Sequence, residues 1–141
     1  MPPESGLGQD TQAAPKRRRG QGAMNYFHRL EDIPVHAHPI AQIKVLSGAQ
    51  SMVFWSEVKA GEEAPMHAHP QEQIVWVMSG RIDYKVGDAP IQSCGPGAVI
   101  LIPGDTPHHA WYREDCRVVE FFSPPRLDLF PAAANSVYAL D

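Results

Sequence analysis

GEEAPMHAHPQEQIVWVMSG, residues 61–80, carries two different signals in twenty positions. QIVWVM (73–78) is apolar at consecutive positions and rich in β-branched and aromatic side chains, the pattern of a strand covered on both faces. One cover is an opposing sheet. The other is a second subunit, or a terminal segment folded across the strand. Ahead of it stand His67 and His69, two residues apart; in an extended chain they point the same way and reach one ion together. Gln73 shares their parity if the chain stays extended through Pro70, whereas Glu72 faces away.

Outward from this stretch the same alternation of strand and turn recurs. IKVL (43–46), SMVFWSEV (51–58), RIDYKV (81–86), AVILIP (98–103) and RVVEFF (117–122) are short and β-favouring. SGAQ, KAGEEAP, GDAP, SCGPG, PGDTP and REDC separate them. Turn signals at this spacing, with no helical period of ten residues anywhere, predict an all-β sandwich or barrel. Gly and Pro supply 25 of the 141 residues, which suits many turns, and hydrophobics at 43% suffice for one core.

Charge and composition exclude several classes of partner. The formal net charge is −4, but residues 1–23 set Lys16, Arg17, Arg18 and Arg19 against Glu4 and Asp10, so the remainder carries −6. An acidic body of this kind predicts no nucleic-acid partner. The KRRR run sits in a Pro/Gly/Gln-rich stretch that reads as a solvated, disordered tail, and Met24 is a plausible alternative start. No apolar run approaches the roughly 20 residues of a membrane helix, and none in the first residues resembles a signal-peptide core, so a soluble, cytoplasmic protein is expected. Cys94 and Cys116 read as free thiols. The expected organisation is a tail over 1–23, a lead-in over 24–40, a barrel over 41–126 and a C-terminal extension over 127–141, either a short helix or extended.

A further metal ligand must come from elsewhere, and PGDTPHH (103–109) presents His108 on a Pro-bounded turn. Together these stretches resemble the cupin family. Gly61, His67, His69, Gln73 and Gly80 fit its first motif, and Gly97, Pro103 and His108 its second; Asp105 stands where Gly is usual and Tyr112 where Asn is frequent. The resemblance covers about residues 41–123 and implies a cupin double-stranded β-helix, a jelly-roll barrel, with a divalent metal inside held by His67, His69, Gln73 and His108. HAHPIAQI (36–43) repeats the spacing of HAHPQEQI (67–74), with Gln42 in the place of Gln73. It lacks the preceding Gly and a partner His, so His36 and His38 are expected outside the main site, binding metal weakly at the surface if at all. His109 should turn away from the site, and His28 should lie in solvent.

Three neutral imidazoles and an amide leave a divalent charge uncompensated, which favours an anionic substrate or an acidified water. Such a set suits Zn, Ni, Fe or Mn alike. In RVVEFFSPPR, Val118, Glu120 and Phe122 share one strand face. Glu120 is a candidate acid/base if that face is the interior, and an ordinary outer-face charge if not. Arg126 is either a bidentate carboxylate clamp or a solvated charge.

HxHPxxQ followed by acid-x-Phe-Ser-Pro-Pro-Arg resembles the KdgF group of small cupins. That group opens 4,5-unsaturated uronates to linear keto sugars. The resemblance implies that Glu120 transfers the proton, Phe122 walls the pocket and Arg126 anchors the carboxylate; the group's acid is more often Asp. A metal-dependent dioxygenase and a non-catalytic small-molecule-binding cupin remain as alternatives. A homodimer is expected from the doubly apolar strand, with a terminal segment folded across it as the alternative cover.

Overall fold

Alternating apolar residues fold the chain into ten strands between His36 and Ser123 in the computed structural model, which describes residues 26–130. They are β1 (His36–His38), β2 (Ala41–Ser47), β3 (Met52–Val58), β4 (Glu63–His67), β5 (Glu72–Ser79), β6 (Ile82–Val86), β7 (Gln92–Cys94), β8 (Val99–Ile102), β9 (His108–Tyr112) and β10 (Cys116–Ser123). A single 3-10 turn, Leu30–Asp32, precedes them. The tail expected over 1–23 and residues 131–141 of the expected extension lie outside the described residues; Leu127 to Leu129 form a turn, neither helical nor extended. No helix among the described residues is long and apolar enough to cross a membrane.

All pairings are antiparallel, in two sheets ordered β1-β2-β3-β10-β5-β8 and β4-β9-β6-β7. The all-β, jelly-roll expectation holds. On the six-stranded sheet Val45, Phe54, Val75 and Val118 point inward, and Ile82, Tyr84, Ala110 and Tyr112 meet them from the four-stranded one. Each fully buried large apolar side chain contributes about 1.5–3 kcal/mol. The buried residues divide into two clusters, one around Val75, Ile82 and Tyr112 and one around Val45, Phe54 and Phe122. Both expected free thiols, Cys94 and Cys116, are buried and unpaired with each other.

Two glycines, Gly80 of the first motif and Gly104 between Pro103 and Asp105, show why no other residue fits. Gly80 has φ of 85°, and a Cβ there would lie 2.3 Å from the Asp115 carbonyl oxygen. A Cβ on Gly104 would lie 2.4 Å from the Pro70 oxygen, so its absence lets the 103–106 turn press against the loop that carries His69. Beside it Asp105, in the place where the cupin motif has Gly, adopts φ of 59°, a left-handed conformation that Asp tolerates. Its N–H donates to the His69 carbonyl at 2.7 Å.

Candidate metal centre

Three strands and a loop bring the site together. His67 ends β4 and pairs with His108, which begins β9. Ala64 also faces inward, opposite Ala110, yet Ala64 and His67 are three residues apart and by parity should face opposite ways. A register shift between them supplies the missing half-turn. His69 does not extend the same strand, as the two-residue spacing suggested; it lies in the loop after β4. Nor does the chain stay extended through Pro70. It bends at Pro70 and Gln71, and Gln73 reaches the site from the next strand, β5. Glu72 is exposed, as expected.

One ring nitrogen of each of His67, His69 and His108 lies within 4.8 Å of the others, so the three could hold one ion. Each ring is oriented from behind by a carbonyl two residues away. The Nδ1 of His67 donates to Pro65 at 2.8 Å, that of His69 to Gln71 at 3.0 Å and that of His108 to Thr106 at 2.8 Å. With the proton on Nδ1, every Nε2 presents a lone pair, the tautomer a metal needs. His108 Nε2 is buried with no protein partner. His69 Nε2 lies 3.1 Å from Gln73 Oε1, two acceptors facing each other. Orphaned and opposed lone pairs cost free energy in a protein interior unless a cation takes them, so the donor set fits a divalent metal. Burial holds the His108 pKa down to about 4, and burial and then Arg126 lower that of His69, which keeps both rings neutral.

The nitrogen of the same Gln73 side-chain amide donates to Glu120 Oε1 at 3.3 Å. That contact explains an amide at position 73, because a carboxylate there could not donate and would repel Glu120. Glu120 is on the inner face of β10 with Phe122, lining a cavity of about 460 Å³ together with His67, His108 and Arg126. The outer-face alternative is thereby removed. Burial raises the Glu120 pKa from 4.5 to about 7, with Arg126 and the Gln73 hydrogen bond pulling the other way. Arg126 is only 7% exposed, so it is not a solvated charge. Its guanidinium sits 5.3 Å from the centre of the Phe122 ring. The side-on edge of its fork is already occupied, since Nε and Nη2 donate to the two Asp128 oxygens at 2.9 and 2.8 Å. A bidentate ligand would have to use the remaining edge.

Other histidines sort differently from expectation in part. His36 and His38 are not in the ligand cluster, as expected, but neither do they face outward. His36 pairs with the inward-facing Ile43, and His38 lines the cavity. His109 turns away, as expected, stacking on Trp111 at 3.8 Å and pairing with Glu63. His28 is half-buried rather than exposed. Ser56, Tyr84 and Tyr112 also line the cavity, and sequence reading had assigned none of them a place there. The alternation of IDYKV would have placed Tyr84 inside. Burial raises the pKa values of Tyr84 and Tyr112, so both stay protonated donors.

Residues 54–122 match the family described as cupin domain. No curated protein matches the sequence significantly. Among solved structures, an RmlC-like cupin from Shewanella frigidimarina NCIMB 400 aligns with a TM-score of 0.69 at 22% identity, covering 75% of this chain and 96% of its own. KdgF from Halomonas sp. aligns at 0.68 and 24% identity over 74% of this chain and 99% of its own. Ectoine synthase from P. lautus aligns at 0.66 and 19% identity over 78% and 83%. At such identities the likeness is one of fold.

Proposed function

Taking residues 54–122 as the cupin domain of a small jelly-roll protein, we propose that the chain opens 4,5-unsaturated uronates to linear keto sugars. The observation that carries this reading is a buried carboxyl group, Glu120, in one cavity with Arg126 and with His67 and His108 of the three convergent imidazoles; without a metal, burial raises its pKa to about 7. His67, His69, Gln73 and His108 would hold the divalent metal, which when bound supplies positive charge to polarise the substrate's oxygens. The free edge of Arg126 anchors the carboxylate, and Asp128 fixes the plane of the guanidinium. Phe122 walls the ring.

Glu120 gives its proton to C4 as the C4=C5 double bond becomes a C5 ketone. The bond between C1 and the ring oxygen breaks, and the hemiacetal hydroxyl loses its proton as C1 becomes an aldehyde. That proton returns to Glu120, so the step is an isomerisation that consumes no co-reactant. A general acid with a pKa near the working pH typically contributes about 10²–10⁴-fold. The test is the absorbance of the conjugated enol with metal-loaded protein, followed in air and under nitrogen. Equal, enzyme-dependent loss in both is expected. No loss, or loss only with oxygen consumption, contradicts the reading and favours binding alone or dioxygenation.

The working unit under this reading is a homodimer. Ile74 and Trp76 of β5 point away from the core, paired across the sheet with Leu101, Val99, Phe121 and Val119, and Met78 further along β5 is exposed as well. Trp76 is 42% and Val99 64% exposed. Arg117 and Glu57 pair on the same face at 3.4 Å. An apolar face bearing both signs of charge is self-complementary about a two-fold axis, and a second copy is the occupant it suits.

A further inference from the structure

The wall of the cavity built by β1, β2 and β3 is apolar apart from two side chains, Ser56 and His38. Ser56 is 5% exposed, and its Oγ is buried with no partner in the protein. A buried hydroxyl that has no protein partner and faces a cavity is satisfied by whatever fills that cavity, so Ser56 suits a ligand that hydrogen-bonds it. Register gives its distance from the chemistry. Glu120 pairs with Phe54, and Ser56 is the next inward residue of β3, about 7 Å further along the strand. That is the width of one sugar ring.

His38 extends the same wall from the edge strand β1, through Ala41 of β2, which is itself opposite Val58 of β3. The His38 Nδ1 accepts the Ile40 N–H at a long 3.4 Å, which leaves the proton on Nε2 as the free donor of a neutral ring. The strand is not loose. The ring of His36 meets the edge of Phe130 at 5.7 Å, and Phe130 meets Phe54 at 5.0 Å. The Phe130 N–H returns to the Arg126 carbonyl at 3.0 Å, so one turn fixes both Arg126 and β1.

We propose that Ser56 and His38 form a second polar subsite that hydrogen-bonds the hydroxyls of a ring-sized sugar acid on the side remote from the imidazole cluster. This rests on the uronate reading above and adds to it a selection for hydroxylated over plain carboxylic acids. The second histidine pair thus has a role without a metal, His36 holding the strand and His38 touching the ligand.

The experiment compares full-length, metal-loaded wild type with Ser56→Ala, His38→Ala and His38→Asn, using an unsaturated uronate monosaccharide. Each Ala variant should raise KM on the order of tenfold, the value of one good hydrogen bond, with kcat falling less. His38→Asn, which keeps a donor, should recover part of the loss. Ser56→Ala without ligand should melt no lower than wild type, because it removes a hydroxyl that has no protein partner. An active wild type with unchanged KM in both Ala variants overturns the subsite alone. A lowered melting point in Ser56→Ala with KM intact also overturns it, marking a packing role. An inactive wild type takes the subsite down together with the uronate reading.

Discussion

Glu120 and His108 are moved in opposite directions by the same cause, burial, and this makes their signatures separable. Between about 4.5 and 7 the folded metal-free chain keeps a proton on Glu120 that the unfolded chain has lost, so this residue makes stability fall as pH rises through that window. Between about 4 and 6.5 the unfolded chain protonates His108 and the folded chain does not, so His108 makes stability rise with pH. Glu120→Gln should remove the first effect and keep the second. Its urea midpoint relative to metal-free wild type should therefore climb from pH 4.5 to pH 7, and a constant difference would mean that Glu120 ionises as freely as in water. Asp128 supplies the second prediction at this scale. Its carboxylate is held below the usual range by Arg126 and fixes the plane of that guanidinium. Asp128→Ala should raise KM for an unsaturated uronate by roughly tenfold, the cost of freeing a buried charged pair partner, and should move kcat less. An unchanged KM would show that Arg126 needs no such support.

At the scale of the element, strands were legible where apolar residues hold most inward positions, even with one polar group such as Ser56, Gln73 or Glu120 among them, and illegible where chemistry takes nearly all of those positions. SMVFWSEV, QIVWVM and RVVEFF coincide closely with β3, β5 and β10, because Phe54, Val75 and Val118 keep the alternation intact. β4 and β9 were hidden: Pro65, His67 and His108 sit where a core strand would carry valine, and the shift between Ala64 and His67 breaks the parity that sequence reading relies on. β7 and β1, three residues each, are too short to show a period. The imidazole cluster was legible even so, because motif spacing marked its residues independently of strand parity. The cavity role of His38 was not, since only the pairing of β1 with β2 turns it inward. The attachment of β1 gives a prediction of its own. His36 Nε2 is buried without a protein partner while the ring packs on Phe130, so His36→Phe keeps the contact and removes the orphan. Its thermal midpoint should equal or exceed that of wild type, and His36→Ala should lose about 1 kcal/mol. A destabilised His36→Phe would show that the nitrogen has a partner in solution.

For the whole molecule, the two faces of the six-stranded sheet differ: the inner one shapes the cavity, and the outer one exposes apolar residues such as Trp76, Val99 and Leu101, the face the proposed dimer would use. Wild type should sediment as a dimer at micromolar concentration. Trp76→Lys, in the centre of that face, should sediment as a folded monomer, and a monomeric wild type would contradict the proposed assembly. The account as a whole claims that one cavity joins a cation site, an anchor and a proton donor, and that the proton is the one on Glu120. The direct measurement is single-turnover loss of the conjugated enol absorbance by wild type and Glu120→Gln, each carrying one metal per chain. The account predicts a rate lower by about 10²-fold or more in the variant, with substrate affinity little changed. Equal rates at equal metal content would contradict it.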